Sequence, residues 1–96
     1  MTDAESLFDK ALAIANRNNG IYNQWESQIA VYMARRYPEA YAITQQETGN
    51  DFPTAIEVAD MGAEKIADQV AFINDLGQVL RTLAKGCELN GRGEWV

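Results

Sequence analysis

Through the second half of the chain, apolar or small residues recur at alternating steps of four and three: Phe52, Ile56, Ala59, Ala63, Ile66, Val70, Ile73, Gly77, Leu80, Ala84 and Cys87. That spacing predicts a helical packing seam. No proline interrupts it beyond Pro53, so a long C-terminal helix is expected over about 54–85, closed by Gly86. At about 1.5 Å per residue such a helix would span about 48 Å unbroken, whereas a domain this size has a radius of gyration of about 12 Å. The helix must therefore break or kink, with Gly62 and Gly77 as the weak points, or project and be shared with a second subunit. A second stripe, Phe72, Leu76, Val79 and Leu83, widens the apolar face and marks the C-terminal half as core.

Upstream, Leu7, Phe8, Ala11, Leu12, Ile14 and Ala15 predict a first helix over about 3–18, opened by a Thr2/Glu5 capping box and stopped by Asn18-Asn19-Gly20. Asn23 and Glu26 repeat the capping pattern, and Trp25, Ile29, Tyr32, Met33 and Tyr37 mark the buried face of a second helix. Pro38 lacks an amide hydrogen, so this helix should kink or end near Tyr37. A short third helix over 39–46 follows until Thr48-Gly49-Asn50-Asp51, and Pro53 or Thr54 opens the last element. The expected fold is all-α: a compact bundle of three to four helices in one domain over residues 1–90, with 91–96 as a flexible tail.

Composition supports a core, since 47% of the 96 residues are hydrophobic against 23% charged. The charge is unevenly placed. Residues 1–46 carry five acids and four bases, 47–75 seven and one, and 76–96 two and three, so the sums are −1, −6 and +1. The net charge of −6 thus resides in the middle segment, on Glu57, Asp60, Glu64, Asp68 and their neighbours. An acidic surface opposes direct binding of nucleic acid or anionic membranes and favours a basic partner or plain solubility. The acidic N-terminal stretch and the lack of a long apolar run predict a cytoplasmic protein, and a single cysteine, Cys87, agrees with a reducing compartment.

The chain has no histidine, which removes the commonest general base and the triads and zinc sites that depend on it. No glycine-rich phosphate loop is present, and one cysteine makes neither a zinc nor an iron–sulfur site within a subunit. No catalytic residue, cofactor or metal is therefore assigned. Carboxylates alone still suit a hard cation such as magnesium. The runs Glu57-Val-Ala-Asp60 and Glu64-Lys-Ile-Ala-Asp68, leading into an apolar helix, resemble the second metal-binding helix of MazG-type nucleoside triphosphate pyrophosphohydrolases over about a quarter of the chain. That resemblance implies magnesium-dependent pyrophosphate release. The family also carries an earlier helix with paired glutamates spaced by two intervening residues, a pattern missing from residues 1–50.

Carboxylates three or four positions apart on a helix stand about 5–6 Å from one another, comparable with phosphate spacing along a nucleic-acid strand. Glu57, Asp60, Glu64 and Asp68 are therefore the candidate partner-binding residues of a non-catalytic interaction protein, expected to bind or inhibit a basic, nucleic-acid-binding protein. Small acidic inhibitors of mobile elements offer an analogy of charge and size. The seam leaves homo-oligomer formation as a further expectation. Tyr22, Trp25, Tyr32, Tyr37 and Tyr41 read as core and core edge, and Arg35-Arg36 as partners for carboxylates on a neighbouring element.

Overall fold

Local signals set the first boundaries. The computed structural model describes residues 6–66 and 68–96, so the Thr2/Glu5 box lies outside the described residues. Ser6 caps helix α1 (Leu7–Arg17), its hydroxyl accepting from the Asp9 amide at 3.1 Å. Helix α2 (Asn19–Arg36) begins at once rather than near Asn23. Asn18 alone leaves helical geometry and serves both helices. Its side-chain amide donates to the Ile14 carbonyl at 2.9 Å, while its own carbonyl accepts from Tyr22 N at 2.8 Å.

Tyr37 ends α2, and Pro38 sits at the first position of α3 (Pro38–Thr48), where its missing N–H costs nothing. Gly49 closes α3 at φ 70°, a left-handed conformation that only glycine adopts freely. Thr54 then opens α4 (Ala55–Val58) through a complete capping box with Glu57. A π-helical turn, Ala59–Ala63, carries the chain into α5 (Glu64–Ile66).

The long helix expected over about 54–85 is thus divided. Asp68, extended at ψ 111°, accepts from the amides of Val70 and Ala71 and N-caps α6 (Gln69–Ala84). The division lets the chain pack within 40 × 32 × 19 Å, with a radius of gyration of 12.7 Å. It also interrupts the seam. Beyond Asp68 the second stripe, Phe72, Leu76, Val79 and Leu83, faces inward, whereas Val70 is 70% exposed. Ahead of the cap at Thr54, Phe52 is 85% exposed.

The molecule is mostly helical, with no strand among the described residues beyond one isolated bridge between Leu89 and Trp95. The core joins Leu7, Ile29, Met33, Val58, Phe72, Leu76 and Leu80 with the small residues Ala40, Ala55, Ala59 and Ala63. Each fully buried Leu or Phe contributes roughly 1.5–3 kcal/mol. The closest packing is between α3 and the π turn. A Cβ at Gly62 would fall on the Ala40 carbonyl oxygen and 2.8 Å from Thr44 Oγ1. Small residues at this crossing let two backbones meet.

Residues 91–96 fold back on the chain. Asn90 N donates to Glu94 O at 2.9 Å, and Val96 N to Glu88 O at 2.9 Å. Gly93, at φ 72°, lies so close to Tyr32 that a Cβ there would stand 2.6 Å from its amide nitrogen. Trp95 meets the Tyr32 ring edge-on at 5.8 Å between centroids. Arg35 reaches Glu94 at 3.2 Å, and Arg36 forms a two-pronged contact to Asp75, 3.1 and 3.4 Å. The paired arginines therefore fasten the tail and α6 onto α2.

Candidate binding groove and acidic residues

Three of the four predicted acidic residues hold helix ends. Glu57 accepts from Thr54 N at 3.0 Å, and Asp68 caps α6. Glu64 Oε1 accepts from Leu7 N at 2.6 Å, placing a carboxylate at the N-terminus of α1, where the helix dipole favours negative charge. Asp60 is exposed and has no side-chain hydrogen bond with a described residue. The sequence marks Pro53 or Thr54 as the opening of a helical element, without assigning the cap to Glu57. Nor does it mark the Glu64 contact, 57 positions from its donor.

The four side chains serve different neighbours. Glu57 lies near Tyr22 and Tyr41, Glu64 meets α1, and Asp68 adds its charge to the surroundings of Tyr37. Among the described residues no three acidic or cysteine side chains stand close enough together to hold a metal ion. Glu57 is half-buried and Asp60, Glu64 and Asp68 are exposed, and one oxygen of each capping group has no hydrogen bond to another described residue.

A different feature, not assembled by sequence reasoning, is a groove of about 440 Å³ between α2, α3 and the connection from Gly49 to Thr54. On α2, Ser27, Ala30, Val31 and Ala34 recur at helical spacing, and their small side chains leave the hollow. Tyr41 and Gln45 of α3 form the facing wall, with Phe52 and Pro53 at the end. The connection is tied down locally. Gln45 Nε2 donates to the Asp51 carbonyl at 2.8 Å, and Phe52 N donates to Asn50 Oδ1 at 3.0 Å. Pro53 is buried. Phe52 is consequently held outward on a fixed backbone.

Around this groove the charge is mostly negative. Glu26 and Asp51 line it, and neither forms an ion pair with a described residue. Arg35 lines it too, but is engaged by Glu94 and by the Arg92 carbonyl at 3.0 Å. Tyr41 of the groove wall and Tyr22 are buried with hydroxyls that have no hydrogen-bond partner of good geometry among the described residues. Burial, then Glu26, pushes the Tyr22 phenol from 10.0 up to about 12, although Thr54 and the Ile56 backbone lie near its hydroxyl. Burial, with Tyr22 and Glu57 nearby, raises Tyr41 further.

Comparison of the chain with protein-family models, with curated proteins and with solved structures finds no match in any of the three. Among the described residues no helix is long and apolar enough to cross a membrane.

Proposed function

We propose that this protein is a non-catalytic interaction module that binds a basic protein partner and so inhibits or occupies it. The observation that carries this reading is uncompensated charge. Of the described acidic residues only Asp75 and Glu94 stand in ion pairs, while Asp60, Glu64 and Asp68 are exposed around the π turn and α5. Such charge accelerates encounter and selects basic partners, and apolar contacts supply most of the holding energy.

The test is capture from a cell lysate at low salt, comparing the parent with a variant carrying Glu57→Gln, Asp60→Asn, Glu64→Gln and Asp68→Asn. An amide oxygen still accepts the capping hydrogen bonds, and asparagine is as good an N-cap as aspartate, so charge is removed while the helix ends are kept. A basic protein retained by the parent, lost by the variant and released between low and moderate salt is expected. A complex indifferent to salt and to the four substitutions would defeat the reading. Retention of the protein alone, with a mass that rises with concentration, would replace it by self-association.

A further inference from the structure

Resting on that reading, we infer that the groove between α2 and α3 receives one large apolar side chain of the partner, whose neighbouring lysine or arginine residues lie against Glu26 and Asp51. Three features support this choice of occupant. The floor is apolar and small-residued at Ala30 and Ala34, and the hollow of about 440 Å³ has room for one large apolar side chain. Its rim is open, since Ser27, Gln45 and Asp51 are exposed. That form suits a side chain projecting from a segment better than a small molecule, which needs enclosure over most of its surface.

The second feature is Phe52. It is 85% exposed on a backbone fixed by Gln45, Asn50 and buried Pro53, so an aromatic contact is offered with little ordering cost. The third is electrostatic. The cation at the rim, Arg35, already has a carboxylate partner in Glu94, which leaves Glu26 and Asp51 to select the occupant. Their charges attract an apolar anchor flanked by bases and repel one flanked by acids.

The experiment is selection from a random peptide display library on the immobilised full chain, followed by affinity measurements on the enriched peptides. Enrichment of an aromatic or leucine-like anchor beside Lys or Arg is expected. Binding of these peptides should weaken about tenfold in Phe52→Ser, equivalent to about 1.4 kcal/mol. It should weaken by a similar factor, and lose most of its salt dependence, in the Glu26→Gln/Asp51→Asn double variant. Circular dichroism of both variants checks that the helices are intact. Basic peptides that ignore these substitutions but fail on Asp60→Asn would overturn the groove and leave the basic-partner reading standing. Enrichment without basic residues, or no enrichment, would overturn the inference, and no basic enrichment in either form counts against the partner reading as well.

Discussion

At the scale of single residues, the tyrosines separate two roles for one hydroxyl. Tyr37 donates to Asp75 Oδ2 at 2.5 Å and packs at a tilt against Phe72, with ring centroids 5.1 Å apart. Tyr41 buries the same group without a partner among the described residues. A net hydrogen bond to a charged acceptor is worth roughly 1.5–3 kcal/mol, whereas a buried unpaired polar group costs roughly 1–3 kcal/mol. Tyr37→Phe is therefore expected to lower stability by about 1.5 kcal/mol, and Tyr41→Phe to leave it unchanged or raise it by about 1 kcal/mol. Urea denaturation of the two variants beside the parent decides the matter, and equal losses in both would show that Tyr41 has a partner after all. The acidic residues follow the same logic of position. In the sequence Glu57, Glu64 and Asp68 are alike, yet in the fold each answers a different set of unsatisfied amides.

At the scale of elements, the crossing of α3 over the π turn sets the strictest demand on side-chain size. Gly62→Ala drives a methyl group into the Ala40 backbone, which cannot retreat without moving α3, so a loss of about 3 kcal/mol is expected. Gly20→Ala is the control. Nothing lies within 4 Å of a Cβ there, and the residue sits in the first turn of α2, so a gain of about 0.5 kcal/mol is expected. Thermal unfolding followed by circular dichroism measures both, and a harmless Gly62→Ala would mean that the crossing is looser than described. Boundaries resting on local chemistry were legible in the sequence: Pro38 after Tyr37, Gly49 after Thr48, and the opening at Pro53 or Thr54. Boundaries resting on competition between signals were not. Asp68 carries a capping side chain, but it falls inside an apolar period that runs smoothly through Ile66 and Val70, and periodicity outweighed the cap. The same smooth period drew Phe52 into the seam, although Pro53 and Thr54 place it ahead of the helix. The groove was hidden for a related reason: Ser27, Ala30 and Ala34 are legible as small residues, but the hollow needs α3 and the 49–54 connection to close it.

At the scale of the whole molecule, alkaline unfolding is the consequence that joins core and charge. Tyr22 and Tyr41 come from different helices, and both are held protonated by burial in a region to which Glu57 adds negative charge. In the unfolded chain each releases its proton near pH 10, whereas in the fold Tyr22 does so only near about 12 and Tyr41 higher still. Above about pH 10 the unfolded state therefore binds fewer protons than the folded one, and stability falls as pH rises. The stabilising term is complete below that pH, and each group removes at most about 1.4 kcal/mol per further pH unit. Ionisation of these two residues should then coincide with loss of helix, because the fold has to open before either phenolate is hydrated. Parallel titrations of tyrosinate absorbance and circular dichroism test this, with Tyr22→Phe/Tyr41→Phe as the comparison. The double variant should keep its helix to higher pH than the parent, since it has no buried phenols at these positions to ionise. An unchanged alkaline midpoint would instead place the sensitivity in what both proteins share: Tyr37, whose phenol is likewise raised by burial and by its hydrogen bond to Asp75, and the overall negative charge, which grows as lysines lose their protons. The comparison also bears on the groove: Tyr41 forms part of its wall, so an intact response there requires the α2–α3 pairing on which the binding surface depends.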